Sequence, residues 1–288
     1  MKPSFRYPKQ ILFFLSLLLI AFQGLSQNKE SKPFVLGHID QIRSALLSEV
    51  RTLNIYLPDG YSPDSAKTYP VIYLLDGSAD EDFIHICGLV QFSSFPWVNR
   101  LPPSIVVGIA NINRKRDFTY RPADTFKFPP ELASYQKSYS DAGGSDKFIA
   151  FLEKELEPYI DQHYKTNASR TLIGQSLGGL LAAEILLKKP ALFTNYLIVS
   201  PSFWWDDESL LHNAEAAIKS FPKTKMNVYV AVGNEGNRMR EADNRLVELL
   251  NTNGPPSLRA DFEYFPKEDH GTILHLAVAN GFRLWYAK

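Results

Sequence analysis

Thr171-Leu172-Ile173-Gly174-Gln175-Ser176-Leu177-Gly178-Gly179-Leu180-Leu181-Ala182-Ala183-Glu184 decides how the rest of the chain is read. A short apolar run of the kind that forms a buried strand meets Gly174-Gln175-Ser176-Leu177-Gly178. A helical pattern of small and apolar residues then continues to Lys189, where Pro190 stops it. A strand that passes straight into a helix through Gly-x-Ser-x-Gly is the pattern of a nucleophile elbow. The turn is so tight that side chains at Gly174 and Gly178 are expected to collide with neighbouring backbone, while Ser176 is pushed out at the sheet's edge. Ser176 is therefore the candidate nucleophile; the duller reading is a glycine-rich turn carrying an ordinary exposed serine.

Outward from the elbow, eight runs read as strands: Phe34–Arg43, Arg51–Leu57, Val71–Leu75, Ile105–Ile109, Thr171–Ile173, Tyr196–Val199, Val228–Val232 and Asp261–Phe265. From the fourth onward, helical patterns separate them: Asp146–Tyr159, Gly178–Lys189, Ser209–Lys219, Arg238–Leu250 and Ile273–Tyr286, the first with Ser145 as its expected N-cap. Strands alternating with helices predict an α/β fold, an eight-stranded, mostly parallel sheet with helices on both faces. The first two strands alternate apolar with polar residues and have no helix between them, so they are expected to pair antiparallel at one edge.

In such a sheet, function gathers beyond the carboxyl ends of the strands. The seventh strand runs into Gly233-Asn234-Glu235-Gly236-Asn237 and the eighth into Pro266-Lys267-Glu268-Asp269-His270-Gly271. Nucleophile, acid and histidine thus follow in the order Ser, Glu, His that an α/β-hydrolase fold requires. A serine hydroxyl needs a base to take its proton, and an imidazole suits that task near neutral pH. His270 would be that base, and Glu235 would bond its far ring nitrogen, with Asp206, Asp207, Asp243 and Asp269 as other carboxylates near strand ends. The oxyanion would be held by the backbone N–H groups of Leu177 and of Ser78 in the loop after the third strand, with Gly77 as the second choice. No metal-ligand spacing is present, so neither a catalytic metal nor a cofactor is expected.

The N-terminus reads differently. Lys2, Arg6 and Lys9 precede the apolar run Ile11–Phe22, followed by Gly24-Leu25-Ser26, which is the pattern of a secretory signal peptide over residues 1–26. The run is short for a membrane span, which needs about 20 apolar residues. Cleavage after Ser26 would leave 28 Lys and Arg against 31 Asp and Glu, an exported chain with no basic bias toward nucleic acid and no membrane association. Cys87 is the only cysteine, so residues 27–288 must fold as a single domain on their core alone.

Between the fourth strand and the helix at Asp146 lies Asn111–Gly144, with Arg114, Arg116 and a series of aromatic residues. Loops this long usually have a job. It reads either as a substrate cover with an aromatic wall and one or two cations, or as an excursion packed by its own rings. Trp204 and Trp205, after the sixth strand, would stand on the same rim, and Arg114, Arg116, Trp204 and Trp205 are the candidate substrate contacts.

Several stretches carry a resemblance from about Phe34 to the C-terminus: Tyr56-Leu57-Pro58-Asp59-Gly60-Tyr61, Tyr73-Leu74-Leu75-Asp76-Gly77, Val106-Val107-Gly108-Ile109-Ala110-Asn111 with Arg116-Asp117, and Ser200-Pro201-Ser202-Phe203-Trp204-Trp205. The chain resembles the putative-esterase family of α/β-hydrolases, with its esterase-D-like, feruloyl, enterochelin (siderophore) esterase and antigen-85-type branches. That resemblance implies a single-domain, exported serine esterase with Ser176 as nucleophile, His270 as base and Glu235 in the acid position. Its partner would be a small-molecule ester of a siderophore or an acylated saccharide. Two other outcomes stay open: an acyltransferase that passes the acyl group to an acceptor hydroxyl, and a catalytically silent binding protein on the same scaffold.

Overall fold

The computed structural model describes residues 31–286, so the segment read as a signal peptide lies outside the described residues. From Leu36 onward the chain is one unit built on eight strands: β1 (His38–Ser44), β2 (Glu49–Tyr56), β3 (Tyr69–Leu74), β4 (Ile105–Ile109), β5 (Thr166–Gln175), β6 (Asn195–Val199), β7 (Met226–Gly233) and β8 (Leu258–Phe265). Their order across one sheet is β1-β2-β4-β3-β5-β6-β7-β8. β1 pairs antiparallel with β2, as the alternation implies, and β2 pairs antiparallel with β4; every later pairing is parallel. The elbow strand β5 therefore sits near the middle, with β3 and β6 as its neighbours.

The helices are α1 (Phe83–Ser94), α2 (Arg114–Asp117), α3 (Ser145–Phe151), α4 (Glu157–His163), α5 (Leu177–Lys188), α6 (Ser209–His212), α7 (Ala214–Ile218), α8 (Asn237–Asn253) and α9 (Ile273–Tyr286). Alternation along each inner strand divides the core between the two faces. Val71 and Tyr73, Leu172, Tyr196 and Ile198 pack with α3, α5 and α8, while Ile72 and Leu74, Ile173, Leu197 and Val199 pack with α1 and α9. Among the described residues, no helix is long and apolar enough to cross a membrane.

The helices depart from the sequence pattern at four points. Helix α1 has no counterpart in the sequence reading, because Phe83, Ile84, Ile86 and Val90 are aromatic or β-branched and mimic strand composition. The expected helix 146–159 is longer and is interrupted by a π turn at Leu152–Leu156, just before Pro158. Proline lacks the amide that would close the preceding turn and crowds the carbonyl four residues back, and the wider turn relieves both. Ser145 is the first helical residue rather than the cap, its hydroxyl donating 2.9 Å to Glu184 Oε1. The expected helix 209–219 is two short ones that break at Asn213.

Candidate active site

The turn at β5 is set by contacts between backbones. A Cβ on Gly174 would lie 2.3 Å from the Gly178 carbonyl oxygen, so that position admits only glycine. At Gly178 the expectation of a backbone collision needs correcting: a Cβ there would meet the Asp76 carboxylate at 3.3 Å and the Leu75 side chain. Between them Ser176 holds φ +60° and ψ −120°, a conformation a non-glycine residue keeps only when its surroundings enforce it. Its amide donates to the Val199 carbonyl at 3.0 Å, and its carbonyl accepts from the amides of Leu180 and Ser202. The hydroxyl is left facing a cleft.

The loops after β7 and β8 are tied together by the Asn234 amide, which donates to the Glu268 carbonyl at 2.7 Å. That contact brings Glu235 beside His270, and the imidazole Nδ1 is hydrogen-bonded to Glu235 Oε2. The other oxygen, Oε1, accepts from the Ser200 hydroxyl at 2.6 Å and the Gly233 amide at 3.2 Å. Burial raises the Glu235 pKa, but the bonds from His270 and Ser200, the nearby imidazole charge and the Gly233 amide outweigh it. The carboxyl therefore titrates below its ordinary value and stays ionised. His270 is further fixed through its carbonyl, which accepts from the Gln175 side chain.

The other carboxylates considered for the acid position are engaged elsewhere or unsuited. Asp206 accepts from the Ala123 amide and the Ser209 hydroxyl, and Asp269 accepts from the amides of Gly271 and Thr272. Asp207 is an exposed residue at φ +50°. Asp243 is fully buried with neither oxygen hydrogen-bonded, and burial, followed by the charge of Glu235, pushes its pKa well above the ordinary value. A carboxyl held neutral cannot stabilise an imidazolium. Asp243→Asn is accordingly expected to leave kcat within about twofold, whereas Glu235→Gln should lower it by two to four orders of magnitude. Steady-state turnover of one ester by both variants checks the pair, and equal losses would contradict the assignment.

Ser176 and His270 line one cleft of about 480 Å³ together with Arg114, Tyr135, Tyr139, Ser202, Trp204 and Arg238. The Ser176 hydroxyl lies 3.4 Å from that of Ser202, and no hydrogen bond joins it to His270 among the described residues. For the oxyanion, the Leu177 amide is the first of α5 and the Ser78 amide donates to no described residue. The Gly77 amide is spent on the Ile109 carbonyl at 3.1 Å, which removes it as the alternative.

Two of the expected substrate contacts lie elsewhere. Arg116 binds Asp117 and Glu49 and lines a separate cavity with Gly143 and Lys147. Trp205 is 1% exposed and packs against Phe126, Phe128 and Tyr139. Residues one or two apart leave a turn or helix in different directions, so Arg114 and Trp204 line the cleft and their neighbours do not. In the segment 111–144, the half-buried Phe126 and Phe128 pack against Trp205, while a 3₁₀ stretch, Pro130–Tyr139, brings Tyr135 and Tyr139 to the cleft. The sequence reading passed over Ser200, Ser202 and the Gln175 side chain. The signal was available for the first two, since Ser200-Pro201-Ser202 follows directly on β6.

Comparisons with known proteins place the chain in a family. The profile of the family described as "Putative esterase" matches residues 44–270. Ferri-bacillibactin esterase BesA of Bacillus subtilis (strain 168) is 30% identical over 251 residues, covering 82% of this chain and 85% of its own. An IroE-like serine hydrolase from Shewanella oneidensis superposes with a TM-score of 0.76 at 31% identity, over 87% of this chain and 80% of its own. The BES protein from Bacillus cereus gives 0.77 at 28% identity, over 91% and 100%. With the match spanning most of its length and the fold shared throughout, the chain belongs to the "Putative esterase" family and is a carboxylic ester hydrolase of the α/β-hydrolase fold.

Proposed function

We propose that the protein is an exported serine esterase acting on a siderophore-type ester through Ser176, His270 and Glu235. The observation that carries the reading is the pairing of a nucleophile elbow with a carboxylate-bound imidazole in one cleft. In the reaction, His270 Nε2 takes the Ser176 proton as Oγ attacks the ester carbonyl, and the ionised Glu235 stabilises the imidazolium that forms. The amides of Leu177 and Ser78 hold the oxyanion. Collapse expels the alcohol, protonated by His270, and water activated by the same imidazole releases the acid.

Substrate class is read from the walls. Tyr135, Tyr139 and Trp204 offer aromatic faces, and Arg238, half-exposed and paired with Glu208 at 3.1 Å, offers a cation. A rigid aromatic ester with acidic substituents fits that lining, and the names of two relatives, the ferri-bacillibactin esterase of Bacillus subtilis and a siderophore triacetylfusarinine C esterase of Aspergillus fumigatus, support the choice. Export is supported by the charge and apolar pattern of residues 1–26.

The test is labelling with a fluorophosphonate, read by intact mass. One adduct on the wild type and none on Ser176→Ala is the expected result. A wild type that stays unlabelled would mean the elbow is unarmed and would end the esterase mechanism proposed for this site. Turnover of catecholate trilactones, feruloyl esters and acetylated glycans, with and without a sugar acceptor, then ranks substrates and separates hydrolysis from acyl transfer.

A further inference from the structure

Arg114 stands in the cleft, yet its guanidinium is committed to the protein itself. Its Nε donates to Asp76 Oδ1 at 2.6 Å and its Nη2 to Asp76 Oδ2 at 2.8 Å, a fork-on-fork pair, and Nη2 also donates to the Gln175 carbonyl at 3.3 Å. The plane lies 5.5 Å from the ring of Phe118, a fully buried residue that closes α2. Asn111 adds a further bond to Asp76 Oδ1 at 2.7 Å. One side chain thereby links three strand ends: the loop after β3 through Asp76, its own segment after β4, and the last peptide of β5 through Gln175.

Those ends are the ones that carry the oxyanion donors. Asp76 opens the loop that leads to Ser78 and sits at φ +54°, left-handed backbone that a non-glycine residue holds only under constraint. Gln175 immediately precedes Ser176 and Leu177. Backbone ties also hold the start of the loop: the Leu75 amide donates to the Ile173 carbonyl of β5 at 3.0 Å, and the Gly77 amide to the Ile109 carbonyl at 3.1 Å, with the Gly77 carbonyl accepting from Asn54 Nδ2 at 2.7 Å. The Leu75 tie ends two residues short of Gln175, whereas the Asp76–Arg114 pair reaches the Gln175 peptide that precedes Ser176.

We propose that Arg114 and Asp76 are positioning residues that set the distance between the Ser78 and Leu177 amides, rather than a charge pair that recognises substrate. The proposal rests on the elbow and oxyanion reading above. It follows from the geometry of a bidentate clamp: Lys supplies the charge but a single point contact, and cannot hold both carboxylate oxygens and the Gln175 carbonyl in one plane. An oxyanion donor displaced by about 1 Å loses most of its stabilisation of the transition state while ground-state binding is unaffected.

The experiment uses the whole protein and p-nitrophenyl acetate, a small neutral ester with no group for a cation to recognise. Arg114→Lys and Asp76→Asn are each expected to lower kcat by about 10- to 100-fold with KM within about twofold, and to slow fluorophosphonate labelling in proportion. The double variant Arg114→Lys/Asp76→Asn should be no worse than the poorer single one, because both act through one clamp. Added ethylguanidinium should restore part of the turnover of Arg114→Ala, which a general loss of folding would not allow. Thermal melts accompany each variant; if an Arg114 variant does not fold, Asp76→Asn carries the test. Unchanged kcat on the neutral ester, with a raised KM confined to anionic esters, would overturn the proposal and return Arg114 to substrate binding. A wild type that takes no fluorophosphonate ends the elbow reading itself, whereas a labelled wild type with variants labelled at full rate ends this inference alone.

Discussion

Ser176→Ala is expected to lower kcat by about six orders of magnitude, and His270→Ala by about as much, with the double variant no slower than either. The size follows from the roles. Without Oγ there is no acyl-enzyme, and without Nε2 the hydroxyl keeps its proton at neutral pH, so either loss removes the same step. What remains is the pull of the Leu177 and Ser78 amides on a water-attacked carbonyl, worth roughly 10³–10⁴ over solvent in serine hydrolases of this design. The site has one feature that makes the non-additivity a sharp test. Ser202 Oγ lies 3.4 Å from Ser176 Oγ and its amide donates to the Ser176 carbonyl, so a second hydroxyl is already in the cleft. Should Ser176→Ala retain more than about a thousandth of wild-type kcat while Ser176→Ala/Ser202→Ala does not, the nucleophile would be Ser202 and the elbow assignment would fall. Single-turnover kinetics on one ester, with the wild type and the four variants side by side, separates the cases.

How much of this could be read in the sequence depends on whether a residue's role is set along the chain or across it. The elbow turn was legible because Gly174 answers to a backbone contact within a turn five residues long, and the approach of His270 to Glu235 because parallel strands deliver their carboxyl ends to one edge. Glu235 could be chosen over its rivals only in three dimensions: Asp243 has the right sequence neighbourhood but is sealed in the core without a partner, and Asp206 is turned toward Ala123 and Ser209. Helix α1 was invisible because local composition favoured a strand, and only its packing against α9, through Phe83, Ile86, Cys87 and Val90, makes it a helix. Arg114 lines the cleft, but its bond to Asp76, 38 residues away, has no trace in spacing or pattern.

Asp117→Ala is expected to destabilise the fold by about 3–5 kcal/mol, the usual cost of stripping the partner from a buried charge. Arg51 is fully buried on β2, its Nη1 bonded to Asp117 Oδ2 at 2.9 Å and Glu49 Oε1 at 2.6 Å, and its guanidinium lies 5.1 Å from the centre of the Phe148 ring. Asp117 is 1% exposed and also accepts from Arg116 Nε at 2.7 Å. Glu49 keeps contact with water, so it cannot replace a carboxylate buried beside the guanidinium, and the Arg51 Nε already lacks a partner. For a chain of this size that loss corresponds to a fall in Tm of roughly 10 °C. Replacing both charges, Arg51→Met with Asp117→Leu, should recover most of it, because an apolar pair has no charge to desolvate. Urea or thermal unfolding of the single and double variants measures both numbers, and a single variant within 1 kcal/mol of wild type would contradict the account. The same short helix α2 therefore faces two ways: its last residue anchors it to β2 through Arg51, and its first reaches Asp76 beside the nucleophile. Loosening the anchor should consequently reach the clamp as well, so kcat of Asp117→Ala on a neutral ester, measured well below its own Tm, should fall with KM unchanged.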